Sequence, residues 1–153
     1  LSGLAQPMLT AERTAVNFLQ ILSGIATLTR HYADALRGTR AKLLDTRKTL
    51  PGLRLASKYA ASLGGAQNHR LRLDDAILIK DNHLALSGRS LTEATERAKA
   101  TGYFVMVECD TIPQVEEALA AGAQWLLLDN MTHAEYRQAV ALVAGMVPLE
   151  ASG

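Results

Sequence analysis

The sequence predicts an α/β protein, a parallel-stranded α/β barrel present only in part and preceded by a long amphipathic helix. Three observations predict it. A stripe of apolar residues at helical spacing runs from Ala15 to Leu36, and short continuous apolar runs then alternate with helical patterns. Three carboxylates, Glu108, Asp129 and Glu150, follow one another at steps of 21 residues, each at or just past the end of a predicted strand.

In chain order, Thr10 with Glu12 reads as a helix start, a hydroxyl cap with an acid in the first turn. Ala15, Phe18, Leu19, Leu22, Ile25, Ala26, Tyr32, Ala33 and Leu36 carry the apolar stripe, and Gly38 stops it. Lys42-Leu43-Leu44 is predicted as a strand, with a helix after Pro51-Gly52. Ala76 to Ile79 is the next strand, followed by a helix near Ser90 to Glu93, a capping-box arrangement. Strands at Tyr103 to Val107 and Trp125 to Leu128 alternate with helices from Thr111 to Ala121 and Thr132 to Leu142, and Val147 to Glu150 opens one more strand. Continuous apolar strands separated by helices mean a parallel sheet covered by helices. An open doubly wound sheet and a closed barrel both fit that order. The regular carboxylate spacing favours the barrel, whose sites gather at the carboxyl ends of the strands. The missing Gly-x-Gly-x-x-Gly fingerprint weakens the dinucleotide-binding alternative.

Composition narrows the function. With 48% hydrophobic and 20% charged residues the chain reads as one ordinary globular domain, and its apolar runs are too short to span a bilayer. The single cysteine, Cys109, excludes an intrachain disulfide framework and a cysteine-rich zinc site, and leans towards a reducing cytoplasm. The net charge of +1 conceals an asymmetry: between Arg37 and Arg72 stand nine Lys or Arg and one acid, Asp45. Such a stretch is either a place for an anion or a run of solvated side chains. It lacks interleaved aromatics, which argues against a nucleic-acid surface. Because the chain starts at Leu1 and enters a helical pattern almost at once, it is expected to be part of a longer protein.

Several residues invite chemistry. Arg47-Lys48, just after the first predicted strand, offers a bidentate fork beside a mobile point charge; the bland alternative is an exposed turn. His69-Arg70 adds a cation beside a hydrogen-bonding ring, which is equally at home as a structural histidine. Lys80, at the end of an apolar strand, is costly to bury without an anionic partner. Glu108, Asp129 and Glu150 suit hydroxyl recognition, metal coordination or stabilisation of developing positive charge, or else a structural ring of ion pairs. Cations with carboxylates fit a substrate that carries several negative groups and a sugar.

Six ordered motifs carry a resemblance. Glu12-Arg13-Thr14-Ala15 with Leu22 to Thr27, Asp45-Thr46-Arg47-Lys48-Thr49 with Pro51-Gly52, and Gly64-Gly65 with Asn68-His69-Arg70-Leu71 come first. Leu78-Ile79-Lys80-Asp81-Asn82-His83, Leu127-Leu128-Asp129-Asn130 and Leu149-Glu150-Ala151-Ser152-Gly153 follow. Together they resemble the C-terminal, TIM-like catalytic barrel of quinolinate phosphoribosyltransferases, from about Leu9 to Gly153.

The resemblance implies phosphoribosyl transfer from phosphoribosyl pyrophosphate to quinolinate with decarboxylation, a magnesium cofactor and a cytoplasmic homodimer serving NAD biosynthesis. It assigns the dicarboxylate to Arg47, His69, Arg70 and Lys80, and gives Arg13 to the same pocket of a neighbouring subunit. Lys48 is assigned to phosphoribosyl pyrophosphate. Glu108 and Asp129 go to the ribose hydroxyls and the magnesium-bound end, with Lys80, Glu108 and Asp129 the catalytic set. Ser152 and Gly153 begin the loop for the 5′-phosphate. Met106 stands where the family often has a second acid. The resemblance also implies that residues 1–153 are the barrel domain truncated at both ends, inactive in isolation. The competing readings are a nicotinate phosphoribosyltransferase, a molybdenum-operon paralogue, from which the intact Lys80-Asp81-Asn82-His83 run departs, and a non-catalytic barrel that binds a phosphorylated ligand.

Overall fold

A computed structural model describes residues 2–153, which form two compact units, one through Leu71 and one from Arg72 to Gly153.

In the first unit, helix α1 (Ala5–Ala35) starts a turn and a half before the predicted cap, with Leu4 in the cap position. Ala5, Gln6, Met8 and Leu9 are good helix formers, and Pro7 falls in the first turn, where its missing N–H costs nothing. Thr10 therefore lies inside the helix, where its hydroxyl donates back to the Gln6 carbonyl at 2.9 Å. The helix ends at Ala35, and overlapping turns carry the chain through Leu36 and Arg37 to Gly38 at φ +81°. Helix α2 (Arg54–Gly64) packs along the Ala26–Thr29 stretch of α1, and Gly65 in the left-handed conformation ends it against Ala33. Close approach explains Gly64: a Cβ there would stand 2.5 Å from Thr29 Cβ and 2.6 Å from the Ala26 carbonyl oxygen.

The strand predicted at Lys42-Leu43-Leu44 is reduced to one parallel bridge between Leu44 and Gln67. Gln67 N–H donates to Leu43 O at 2.8 Å and Asp45 N–H to Gln67 O at 3.0 Å. The ladder stops there because the next donor, His69 N–H, goes to the Asp45 carboxylate at 2.7 Å instead of a backbone carbonyl.

The second unit is built on a sheet of four parallel strands, β1 (Ile77–Ile79), β2 (Val105–Cys109), β3 (Trp125–Asp129) and β4 (Leu149–Ser152), in that spatial order. Helices α3 (Asp81–Ser87) and α4 (Leu91–Lys99) connect β1 to β2, α5 (Ile112–Ala120) connects β2 to β3, and α6 (His133–Val143) connects β3 to β4. Consecutive order without a reversal is the order of a parallel barrel, not of a doubly wound sheet. The predicted capping box is present: Glu93 N–H donates to Ser90 Oγ at 3.2 Å and Ser90 N–H to the Glu93 carboxylate at 3.1 Å. Thr132 and Glu135 form a second box at the start of α6.

Alternation divides the strand residues between two faces. Ile79, Val105, Val107, Cys109, Leu126 and Leu128 form the core with Leu91, Ala98, Val115, Ala118, Ala139 and Val143 of the helices. Val105, Val107, Cys109 and Leu126 have no exposed surface at all. The other face carries Leu78, Met106, Glu108, Trp125, Leu127, Asp129, Glu150 and Ser152. This apolar-on-one-face, mixed-on-the-other pattern positions the site.

Candidate active site

The polar face of the second unit has a definite geometry. Ile79 pairs with Val107, so Lys80, one residue on, stands level with Glu108. Its ammonium contacts the Glu108 carboxylate at 2.5 Å; the lysine side chain is 39% exposed and the glutamate only 10%. A cation half in solvent thus compensates a largely buried anion. Lys80 is held from behind, because its N–H donates to His83 Nδ1 at 3.1 Å across the first turn of α3. That helix was not anticipated from the sequence, although the Lys80-Asp81-Asn82-His83 run that starts it was singled out.

The regular sequence spacing of the carboxylates conceals unequal steps in register. Glu108 pairs with Leu127 and Leu127 with Glu150, which puts both glutamates on one level. Asp129 pairs with Ser152, two residues nearer the carboxyl ends. All three share one face, but they form a staggered set and not a level ring. Met106 is 3% exposed and pairs with Trp125, so the position where the family often has an acid is here part of an apolar floor.

Where β3 and β4 end, the chain makes a tight crossing. Asn130, at φ +52°, donates its N–H to Ser152 O at 3.0 Å, and Tyr136 donates its hydroxyl to the same carbonyl at 2.8 Å. Gly153 lies at φ +146°, and a Cβ there would stand 3.2 Å from Asn130 Cα, which explains the glycine. Asn130, His133, Tyr136, Ser152 and Gly153 help line a cavity of about 400 Å³.

In the first unit, Arg47 is partly buried, and its Nε is enclosed without a hydrogen-bond partner. Arg54 Nη2 and Thr49 N–H both donate to the Arg47 carbonyl, at 3.4 and 3.0 Å. Lys48 is exposed, with its N–H capped by Thr46 Oγ1 at 3.0 Å. His69 Nδ1 accepts the Arg70 N–H at 2.8 Å, so in a neutral ring the proton sits on Nε2. Arg13 is exposed on α1.

In the sequence Lys58 stands out only as one of nine bases between Arg37 and Arg72. In the structure it is buried, 2.5 Å from Asp45, and Asp45 also accepts from Asn68 Nδ2 at 2.6 Å and His69 N–H at 2.7 Å. The signal for it was Asp45 itself, the one acid in a basic stretch. Arg37 is likewise paired, with Asp34 at 2.8 Å, so the stretch is not one continuous cationic surface.

No group of three or more His, Cys, Asp or Glu among the described residues is arranged to hold a metal ion. Glu108 and Asp129, on one face of neighbouring strands, still suit magnesium, which commonly takes one or two carboxylates and completes its shell with water and substrate phosphates.

A consecutive parallel sheet with helices on one face, and with a lysine, staggered carboxylates and a glycine turn towards its carboxyl ends, defines a domain of the α/β-barrel class, whose sites gather at that end. Residues 25–153 match the family described as "Quinolinate phosphoribosyl transferase, C-terminal domain", and the chain belongs to that family. It is 47% identical over 154 residues to the nicotinate-nucleotide pyrophosphorylase [carboxylating] of Mycobacterium leprae, covering 97% of this chain and 54% of that protein. It is 40% identical over 172 residues to the quinolinate phosphoribosyltransferase [decarboxylating] 2a, mitochondrial, of Nicotiana tabacum, covering 99% of this chain and 48% of that protein. The crystal structure of NadC from Streptococcus pyogenes is similar with a TM-score of 0.90 and 47% identity, over 99% of this chain and 54% of that one. The chain thus spans about half the length of the relatives it matches.

Proposed function

We propose that the full-length polypeptide carrying this sequence transfers the phosphoribosyl group of phosphoribosyl pyrophosphate to quinolinate, releasing pyrophosphate and carbon dioxide and giving nicotinate mononucleotide for NAD synthesis. The observation that carries this reading is the Lys80–Glu108 pair on the polar sheet face, with Asp129 and the Ser152-Gly153 turn on the neighbouring strands. A lysine already paired to a carboxylate can be drawn to a substrate carboxylate without an uncompensated charge being buried beforehand.

In this reading Arg47, His69, Arg70 and Lys80 hold the two carboxylates of the pyridine, Arg as a bidentate fork and His69 through its Nε2–H. Lys48 contacts the pyrophosphate donor, and the backbone at Ser152 and Gly153 begins the cradle for its 5′-phosphate. The pyridine nitrogen attacks the anomeric carbon as the bond to pyrophosphate breaks, and positive charge builds on the ribose. Glu108 and Asp129 bind its hydroxyls and offset that charge. When bound by them, magnesium supplies charge neutralisation for the pyrophosphate leaving group. The pyridinium then accepts the electron pair left as the adjacent carboxylate departs as carbon dioxide, and that ring carbon takes up a proton. Positioning carries this catalysis, with no covalent enzyme intermediate.

Arg13, exposed on α1, serves the neighbouring site of a homodimer in this reading. The cytoplasm is the proposed location, resting on the one buried thiol, Cys109. No helix among the described residues is long and apolar enough to cross a membrane. The test is turnover with magnesium and phosphoribosyl pyrophosphate: carbon dioxide and nicotinate mononucleotide are expected from quinolinate and no product from nicotinate. Product from nicotinate makes the protein a salvage-type transferase, and ligand binding without product makes it a non-catalytic barrel.

A further inference from the structure

We propose that the buried Asp45–Lys58 ion pair is the positioning device of the dicarboxylate pocket, holding His69-Arg70 against the Arg47 loop. This rests on the functional reading above. The side chains of Lys58 and Asp45 are 6% and 8% exposed, and neither belongs to the residues assigned to a substrate. Burying two charges gains little stability over apolar residues of similar size, so the pair calls for a geometric explanation.

The hydrogen bonds supply one. The backbone ladder between the Leu43–Asp45 segment and the Gln67 segment lasts for only two bonds and then ends. From there the pair takes over. Asp45 Oδ1 accepts the His69 N–H at 2.7 Å, and Lys58 Nζ donates to the His69 carbonyl at 3.0 Å, so one residue is gripped at both its backbone polar groups. Asn68 Nδ2 closes the network, donating to Asp45 Oδ2 at 2.6 Å and to the Lys58 carbonyl at 3.1 Å. A backbone ladder would have continued as regular strand. The side-chain clamp instead fixes His69 two residues past the last rung, with Arg70 N–H bonded to the His69 ring at 2.8 Å. Arg47, two residues beyond Asp45, is thereby tied to His69 through one carboxylate. Lys48 has a local anchor of its own, Thr46 Oγ1 at its N–H, while Arg54 holds the Arg47 carbonyl. The clamp therefore sets His69 and Arg70 relative to the Asp45–Arg47 segment and grips none of the residues assigned to phosphoribosyl pyrophosphate.

The test uses Lys58→Met, Lys58→Arg and Asn68→Ala in the full-length polypeptide carrying this sequence. Calorimetric titrations with quinolinate alone and with magnesium phosphoribosyl pyrophosphate alone are compared with wild type. Lys58→Met is expected to weaken quinolinate binding by about tenfold or more, the equivalent of losing one buried charged hydrogen bond, and to change the other Kd by less than about twofold. Lys58→Arg, which keeps the charge, recovers part of the loss. If Lys58→Met does not fold, Asn68→Ala reads the same split with a loss of roughly threefold. Equal losses for both ligands, or unchanged quinolinate binding, overturn the proposal while wild-type binding keeps the functional reading intact. A wild-type protein that binds no quinolinate overturns both.

Discussion

Lys80 is the residue on which the chemistry of the second unit turns. Its ammonium meets Glu108 at 2.5 Å, and Lys80→Met leaves that carboxylate, 10% exposed, without its cation. Loss of a charged anchor of this kind costs about 2–5 kcal/mol, so kcat/KM for quinolinate is expected to fall roughly thirtyfold or more; a change smaller than about threefold contradicts the assignment. One residue further along the same strand as Glu108, Cys109 faces the core, and burial, with Asp110 and Glu108 adding smaller repulsions, pushes its thiol up from 9.0 to about 12. The folded state holds this proton more tightly than the unfolded chain. Its contribution to stability is therefore complete below about pH 9 and is lost as pH rises towards 12. Thiol reagents at pH 8 should label Cys109 no faster than the protein opens; rapid labelling of the folded state contradicts its burial. A sequence motif led to Lys80 and the carboxylate spacing to Glu108, but neither led to their pairing, which depends on a register that no spacing within one strand reveals.

Among the elements, two local rules were readable and two failed. Ser90 with Glu93 and Thr132 with Glu135 announce helix starts because a cap needs only neighbouring residues. Ser90→Ala is expected to cost about 1 kcal/mol in urea denaturation. Thr10 misled because a hydroxyl in a helix can also bond its own i−4 carbonyl, as it does with Gln6. The predicted strand at Lys42-Leu43-Leu44 failed for a non-local reason: its ladder is interrupted by a side chain, Asp45, serving a residue 24 positions away. Packing of α2 on α1 was likewise invisible in either helix alone. It is testable at Gly64, where an added methyl meets Thr29 and Ala26 within 2.6 Å. Gly64→Ala is expected to destabilise the first unit by about 1–3 kcal/mol despite its better helix propensity, and unchanged or raised stability contradicts that packing.

For the whole molecule, the barrel class was legible because parallel strands buried against helices read as continuous apolar runs, and the structure returns them in consecutive order. The carboxylate spacing was a sound guide to the face and a poor guide to the level: Glu108 and Glu150 share a register, and Asp129 stands beyond them. The charge asymmetry marks the stretch that holds the proposed anion-binding residues but overstates its continuity, since Lys58 and Arg37 are already neutralised within the fold. The chain belongs to the quinolinate phosphoribosyl transferase C-terminal domain family and covers about half the length of its relatives. The catalytic proposal accordingly concerns the full-length polypeptide, and residues 1–153 alone are expected to turn over no substrate. The most direct measurement is the appearance of nicotinate mononucleotide and carbon dioxide when that polypeptide meets magnesium, phosphoribosyl pyrophosphate and either quinolinate or nicotinate. Stoichiometric product from quinolinate alone is the predicted result; product from nicotinate, or binding of quinolinate without release of carbon dioxide, contradicts it.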